Sequence, residues 1–292
     1  MTKFIHVSDL HINHEDSHEN INGKALVDFI IKTYGNEDRD NFAIVISGDI
    51  VHGLASRNDG SDEHADEDQY ANARDLLRPL IQQFKEKVLI VPGNHDYSTT
   101  GVDFKEFEEY SYNLFNKFIL LELLGDHSAS TAHPDLNPMY PRMVETRDTL
   151  FIGLDSGIGV AGKLFQLAKG EIGPAQLAKL QKILSDMASS KSHIALCLHH
   201  HPFLRKTSIW NAINRVAMKL NDASKLHSII KNKVEILCFG HMHVSEEMTK
   251  PGYNKILASG KSTKKDPSGK LSFREVIIDS SVIRVNTVSF MP

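Results

Sequence analysis

Five short apolar runs, each ending in polar residues, constrain the fold of this chain more than any other feature of its sequence. They are KFIHVSDLH (3–11), FAIVISGD (42–49), KVLIVPGNHD (87–96), HIALCLHHH (193–201) and VEILCFGHMH (234–243). Near-continuous apolar segments rich in β-branched residues are typical of strands buried on both faces of a sheet. The repeated pattern therefore predicts several buried strands that carry polar side chains at their ends.

Helical patterns lie between these predicted strands. Apolar spacing predicts helices over GKALVDFIIKTYG (23–35), YANARDLLRPLIQQFKE (70–86), GPAQLAKLQKILSDMASS (173–190) and DASKLHSIIKNK (222–233). Alternating strands and helices predict a layered α/β domain. Sites in such domains lie beyond the carboxyl ends of strands, where all five polar motifs fall.

Two regions interrupt the alternation. Residues 101–142 combine a helical stretch with a Pro-rich loop, which we interpret as a cap insertion within a single domain of residues 1–292. Residues 250–290 predict a series of antiparallel strands, and residues 143–156 predict a hairpin. The acidic stretch 58–68 is expected to be an exposed loop, since carboxylate-rich segments are usually solvated.

Composition indicates a soluble protein. Apolar residues make up 41% of the 292 residues, charged residues 24%, and the net charge is −4. This charge argues against sequence-independent binding of long nucleic acids, and the basic run KSTKKDPSGK (261–270) is interpreted as a solvated turn. Cys197 and Cys238 lie in apolar runs and are predicted to be buried free thiols. With no signal-peptide or membrane-span pattern, we predict a cytoplasmic protein without a membrane partner.

The polar residues at the strand ends share the chemistry of metal ligands. The candidates are Asp9, His11, Asp49, Asn94, His95, His199, His200, His201, His241 and His243. Imidazole and carboxylate groups without thiolates suit Zn, Mn, Fe, Co or Ni, and argue against an iron–sulfur or calcium site. About seven ligands suit two divalent or trivalent ions that share one bridging carboxylate. Two divalent ions, two aspartates and a bridging hydroxide leave a net charge of about +1, which matches a phosphodiester.

The GHMH segment has a geometry of its own. The period of two in an extended segment predicts that His241 and His243 lie on one side, with Met242 pointing into packing. Gly240 is expected to allow a sharp turn where the strand stops.

The motifs DLH, GD, GNHD, a strand ending in His, and GHMH occur in one order across residues 9–243. This set resembles the calcineurin-like metallophosphoesterase family. The resemblance implies a four-layer α-β-β-α sandwich of two mixed sheets flanked by helices. It also implies a dinuclear metal centre.

The resemblance assigns roles to individual residues. It implies Asp9, His11 and His243 as ligands of a first ion, Asp49 as the bridge, and Asn94, one histidine of 199–201 and His241 as ligands of a second ion. His95 is then not a ligand but contacts the phosphate and protonates the leaving oxygen, so the catalytic set is His95, Asn94 and Asp49. Asp96 would orient His95 or its loop.

Within the family, HHHP after a strand resembles the class III cyclic-nucleotide phosphodiesterases. There the first histidine of the run is the usual ligand, so His199 is predicted, with His200 as the alternative. His201 is expected near the substrate mouth or exposed. The stretches 56–69 and 101–142 match no pattern of that subgroup and are expected to set substrate choice.

We therefore predict a dinuclear-metal phosphohydrolase that cleaves a P–O bond by in-line attack of a metal-bridging hydroxide. The predicted substrate is a small phosphodiester, such as a cyclic nucleotide or a glycerophosphodiester. A small phosphomonoester is the other substrate class considered. Two alternatives remain. A nuclease of the same superfamily fits FIHVSDLH but not the acidic net charge. An inactive scaffold is disfavoured because every expected ligand type is present.

The remaining motif-like residues receive structural interpretations. His6 is predicted to be a hydrogen-bonded residue inside a strand, and Trp210 a packing residue. His52 and His64 are predicted to lie on the surface.

Overall fold

The computed structural model describes residues 1–13, 15–53, 64–97, 111–127, 139–157, 169–187, 190–203, 220–280 and 282–292. In chain order the elements are β1 (Thr2–Val7), α1 (His18–Tyr34), β2 (Phe42–Ser47), α2 (His64–Phe84), β3 (Val88–Val91), α3 (Phe115–Leu123, wound as a π-helix), β4 (Arg142–Glu145), β5 (Thr149–Gly153), α4 (Pro174–Asp186), β6 (His193–Cys197), α5 (Ala223–Ile230), β7 (Ile236–Phe239), β8 (Glu246–Met248), β9 (Lys255–Ala258), β10 (Leu271–Asp279) and β11 (Val282–Phe290). Short 3₁₀ turns precede β2 and β3.

The strands form two mixed sheets. The first has the order β11-β10-β1-β2-β3, and the second has the order β4-β5-β6-β7-β9-β8. In the first sheet β1, β2 and β3 run parallel, while β10 runs antiparallel to both of its neighbours. In the second sheet β5, β6, β7 and β9 run parallel between antiparallel edge strands. Parallel strands joined by helices account for the buried, near-continuous apolar runs.

The two sheets pack face to face, as β5 illustrates. Phe151 joins a core that both sheets share, where its ring meets Phe4 of β1 edge-on at 5.1 Å. Its neighbours Leu150 and Ile152 join a second core with Leu177 of α4. Alternate strand residues point to opposite faces, so one strand serves both cores.

Helices cover the outer faces of the sheets. Apolar residues of α1 and α2, including Leu26 and Leu77, belong to the core around the first sheet. Residues of α4 and α5, including Leu180 and Leu226, belong to the core around the second. The predicted four-layer α-β-β-α architecture is therefore confirmed. The buried free thiols of Cys197 and Cys238 are also confirmed.

Two predicted boundaries were wrong at helix starts. Helix α1 begins at His18 because the Ser17 hydroxyl accepts a hydrogen bond from the Asn20 N–H and caps the helix. Gly23 therefore lies inside α1, where a Cβ would come within 2.9 Å of the Leu76 side chain. The acidic stretch 58–68 is not all loop, because residues from His64 onward belong to α2. Residues 58–63 lie outside the described part of the chain.

The C-terminal strands also differ from the prediction. β10 and β11 form the expected antiparallel pair. In contrast, β9 joins the second sheet, parallel to β7, so residues 250–290 are not one antiparallel series. The hairpin predicted over residues 143–156 is confirmed as β4 and β5, closed by the Thr146 N–H to Thr149 carbonyl bond of 2.9 Å.

The predicted cap insertion is only partly described. The apolar helix α3 packs on α2 and buries Phe115 and Ile119 in the shared core. Residues 101–110 and 128–138 of this insertion lie outside the described residues, as does Trp210, so the cap and the single domain stay predictions. None of the helices in the described ranges combines the length and apolar character that crossing a membrane requires.

Candidate metal centre

The carboxyl ends of five parallel strands meet where the two sheets face each other. In the first sheet these are β1, β2 and β3, and in the second β6 and β7. The loops that follow them carry the predicted ligands, which are Asp9, His11, Asp49, Asn94, His199, His241 and His243. The structure therefore brings residues as far apart as 9 and 243 into one site.

The first cluster contains Asp9, His11, Asp49 and His243, with one potential ligand atom of each within 4.8 Å of the others. The Nε2 atoms of His11 and His243 are 2.9 Å apart. His11 Nε2 lies 3.7 Å from Asp49 Oδ2, and His243 Nε2 lies 3.4 Å from Asp9 Oδ1. All four side chains thus turn their ligand atoms toward one point.

The second cluster contains Asp49, His199 and His241 within the same limit of 4.8 Å. His199 Nε2 lies 3.2 Å from Asp49 Oδ2 and 3.1 Å from Asn94 Oδ1. Because Asp49 belongs to both clusters, it occupies the position of a bridging carboxylate.

The donor atoms of both clusters fit metal ions. The buried Nε2 of His241 has no hydrogen-bond partner among the described residues. Two imidazole nitrogens facing each other at 2.9 Å, as in His11 and His243, need a proton or a cation between them. Nitrogen and carboxylate donors without sulfur match the predicted borderline metals.

Five of the seven predicted ligands have a left-handed backbone conformation. The φ angles are 54° at Asp9, 50° at His11, 52° at Asp49, 77° at His241 and 53° at His243. Such conformations in non-glycine residues cost about 1–3 kcal/mol each and concentrate at functional sites. Hydrogen bonds between the loops hold two of them, since the N–H groups of Asp9 and His11 donate to the carbonyls of Gly48 and Asp49.

The predicted geometry of GHMH was wrong. His241 and His243 do not lie in an extended segment, because both have left-handed backbone, and Met242 between them is partly exposed. Gly240 does not have left-handed backbone. It is needed for close approach instead, since a Cβ there would lie 1.9 Å from Ser8 Oγ and 2.6 Å from Asp9 Oδ2.

The structure places His199, and not His200, in the second cluster. The Nδ1 of His199 hydrogen-bonds the Ser47 carbonyl at 2.8 Å, which leaves Nε2 for the cluster. His200 is buried and pairs its Nδ1 with the Ser156 hydroxyl at 2.8 Å. His201 is not exposed, because it is buried with its ring 4.5 Å from that of Phe239.

His95 lies beside the clusters and not within them. Its N–H donates to Asp49 Oδ1 at 2.9 Å, and its Nδ1 lies 2.6 Å from the His52 carbonyl. Its ring centroid is 4.6 Å from that of His11. Asp96 accepts hydrogen bonds from the N–H groups of Ile50, Val51 and Gly93, so it braces the loops after β2 and β3.

Burial and mutual charge set the protonation of the site without metal. Burial raises the pKa of Asp9 to about 7. Burial alone would raise the pKa of Asp49, but His199 and His95 hold that pKa well below its usual range. Burial alone would lower the pKa of His199, yet Asp49 raises it to about 9. Burial lowers the pKa of His11 to about 2, so that imidazole is neutral.

The sequence interpretation missed some residues beside the site. His52 is half-buried rather than on the surface, with its ring 5.9 Å from that of His11. Lys261 is not a fully solvated residue of a basic turn, because its Nζ lies 3.0 Å from Glu19 Oε1. Neither residue stands in a motif, so their roles depend on contacts between distant segments. His6 is confirmed as structural, with its Nε2 2.8 Å from the Ser47 hydroxyl.

Residues 2–245 match the family of calcineurin-like phosphoesterases. The match covers most of the chain, so this protein belongs to that family. With its two clusters of buried histidine and aspartate, it is a metal-dependent phosphoesterase of the dimetal type.

Solved structures share the fold at low sequence identity. A dimetal phosphatase from Danio rerio is similar over 99% of this chain and 98% of its own, with a TM-score of 0.63 and 14% identity. A purple acid phosphatase from yellow lupin (Lupinus luteus) seeds matches 98% of this chain and 51% of its own, with a TM-score of 0.56 and 12% identity. GAP50, the anchor in the inner membrane complex of Plasmodium, matches 99% and 84%, with a TM-score of 0.50 and 14% identity. No curated protein matches the sequence.

Proposed function

We propose that this phosphoesterase is a phosphodiesterase for small phosphodiesters such as cyclic nucleotides or glycerophosphodiesters. The observation that carries the proposal is the pair of clusters that share Asp49, with His95 beside them. The resemblance of the HHHP run to class III cyclic-nucleotide phosphodiesterases supports it.

The proposed ligands follow the two clusters. They are Asp9, His11 and His243 for the first ion, Asn94, His199 and His241 for the second, and Asp49 for both. Two ions bound by these residues would lower the pKa of a water and would neutralise negative charge on the phosphoryl oxygens. The protein holds the ligand atoms in place through the backbone bonds of the strand-end loops.

His95 supplies the proton for the leaving oxygen. Its Nδ1–H donates to the His52 carbonyl, which fixes the ring and leaves Nε2 to transfer a proton. Its backbone N–H is tied to Asp49, so the ring keeps a fixed position relative to both clusters. A residue placed in this way acts on the leaving group without occupying a metal coordination position.

The charge of the site favours a monoanionic diester. Asp9 and Asp49 are the carboxylates in the two clusters. Asp96 is nearby, but its oxygens accept three backbone N–H bonds, and burial raises its pKa to about 7. Two divalent ions therefore outweigh the carboxylates and leave positive charge for an anionic substrate. The net charge of −4 supports small substrates over long nucleic acids.

A substrate panel with manganese tests the proposal. It contains bis-p-nitrophenyl phosphate, p-nitrophenyl phosphate, a cyclic nucleotide, a glycerophosphodiester and plasmid DNA. We expect turnover of small diesters at a higher kcat/KM than the monoester, with no plasmid cleavage. Plasmid cleavage without turnover of small diesters would favour the nuclease, and full metal content without any turnover would favour the scaffold.

A second comparison tests the role of His95. Replacing it with alanine should reduce the rate on diesters with poor leaving groups more than on aryl diesters, since only a poor leaving group needs a proton. Equal losses on both would count against proton transfer by His95.

A further inference from the structure

A loop beyond the last family motif, residues 260–263, lies against the two segments that carry Asp9 and His243 of the first cluster. The Ser262 N–H donates to the Ser8 carbonyl at 3.0 Å, next to Asp9 in sequence. On the other side, the Gly260 N–H donates to the Ser245 hydroxyl at 3.0 Å. A Cβ on Gly260 would lie 3.4 Å from the His243 carbonyl. Lys261 therefore stands between the loops that carry Asp9 and His243.

The Lys261 side chain is held inward, unlike its neighbours. It is 15% exposed, whereas Lys264 and Lys265 are exposed. Its Nζ lies 3.0 Å from Glu19 Oε1, which uses one of the three donors of the ammonium group. The described residues provide no further hydrogen-bond acceptor for it, so two N–H donors are available to a ligand.

The Lys261 charge acts on the first cluster of the metal centre. Burial lowers the pKa values of His11, His52 and His243, and Lys261 lowers each of them further. His52 borders the same cluster as the Lys261 loop, because its ring centroid lies 5.9 Å from that of His11. The buried Nδ1 of His52 has no partner in the described part of the chain.

The ion pair with Glu19 is not what holds this loop. Backbone bonds from Gly260 and Ser262 fix it, and the Thr263 hydroxyl adds a bond of 2.8 Å to the Leu10 carbonyl. A cation on an already anchored loop, with unused donors beside a phosphoester site, is suited to binding an anion.

We propose that Lys261, together with His52, forms a subsite for a second anionic group of the substrate, beyond the phosphoester that is cleaved. The inference rests on the proposed function for the position of the cleaved group. It names the substrate class as small phosphodiesters that carry an additional carboxylate or phosphate. Glu19 occupies one donor of the ammonium group, and the other two donors bind that anionic group.

The test measures binding rather than turnover. Alkylphosphonates of several chain lengths, each with and without a terminal carboxylate, are titrated into the manganese-loaded protein by calorimetry. Phosphonates cannot be hydrolysed, and the chain-length series covers the distance between the two anionic groups. The variants are Lys261→Met, which removes the charge, Lys261→Arg, which keeps it, and Lys264→Met, the exposed control.

At one or more chain lengths the wild type should bind the carboxylated ligand roughly tenfold tighter, which corresponds to one charge-assisted hydrogen bond. Lys261→Met should abolish this preference, whereas Lys261→Arg and Lys264→Met should retain it. If no chain length shows a preference, or if Lys261→Met weakens both ligands of a pair equally, the subsite is wrong.

Separate measurements report on the folding of the variants and on the proposed function. Thermal unfolding and metal content check each variant, and Lys261→Gln, which also removes the charge, replaces Lys261→Met if that variant does not fold. Turnover of bis-p-nitrophenyl phosphate by the wild type reports on the proposed function alone. A protein that binds carboxylated phosphonates selectively but hydrolyses no small diester would overturn the phosphodiesterase proposal and keep the subsite.

Discussion

The two halves of the metal centre differ in their exposure to solvent. In the first half, the His243 side chain is 41% exposed. In the second half, the His199 side chain is 0% exposed and His241 is buried. Solvent therefore reaches the half that contains His243, the open half, whereas the half around His199 and His241 is sealed between the sheets. An ion in the sealed half should exchange more slowly.

The halves also have separate structural supports. The Ser156 hydroxyl accepts hydrogen bonds from the N–H groups of His199 at 3.3 Å and His200 at 3.2 Å. The Ser262 hydroxyl accepts one from the Ser8 N–H at 3.1 Å, next to Asp9. Each buried hydroxyl thus fixes the backbone beside a ligand of one half.

The largest expected effect comes from the residue that both halves share. Asp49→Ala should remove both metal sites and reduce turnover by at least about a thousandfold, since the bridge is lost. Metal content and the kcat for bis-p-nitrophenyl phosphate measure this. Asp279→Ala, an exposed aspartate at the end of β10, is the matched control. Retention of both ions by Asp49→Ala would disprove the shared site.

The next effect is a difference in the free energy of unfolding, without metal, between a variant of the sealed half and a variant of the open half. His199→Ala leaves the buried Asp49 carboxylate without its ion pair and should lower the free energy of unfolding by about 3 kcal/mol. His243→Ala removes a partly exposed side chain and should cost less than about 1 kcal/mol. Denaturant unfolding in the presence of a chelator measures both. Equal losses would show that the halves do not differ in this way.

Smaller effects should separate the two supports. Ser156→Ala should weaken the ion at the sealed half, and Ser262→Ala the ion at the open half, by roughly ten- to a hundredfold each. Manganese titration gives the two affinities. The His199→Ala and His243→Ala backgrounds assign them, because each hydroxyl should matter less where its own half is already lost. If both serines weaken both ions alike, the supports are not separate.

A further effect is a dependence of metal affinity on pH. The pKa values of Asp9 and His199 are raised to about 7 and about 9, so both groups hold protons below those values. Metal must displace these protons, so affinity should rise from pH 6 to 9, with release of about one and a half protons at pH 7. Calorimetry in buffers of different ionisation enthalpy measures the release. The release should fall in His199→Ala, and an unchanged value there would contradict this origin.

Much of the fold was predictable because local patterns determine it. Buried parallel strands need near-continuous apolar runs, so β1, β2, β3, β6 and β7 were visible in the sequence. The errors occurred where tertiary contacts override local pattern. The sequence of β9 resembles those of β10 and β11, which pair antiparallel, yet β9 pairs parallel with β7 in the second sheet. The spacing of His241 and His243 predicted an extended segment, yet both residues have a left-handed backbone conformation in the folded protein.

The kinds of ligand and their places at strand ends follow from local sequence, because the apolar run of a buried strand gives way to polar residues where the sheet ends. Local sequence does not show which histidine of 199–201 faces Asp49, since that depends on the hydrogen bond from His199 to the Ser47 carbonyl of the other sheet. The tertiary structure also brought Lys261 and Ser262 to the loops around Asp9. Their contacts join segments about 250 residues apart, and no local pattern in the chain records which distant segment a residue will meet.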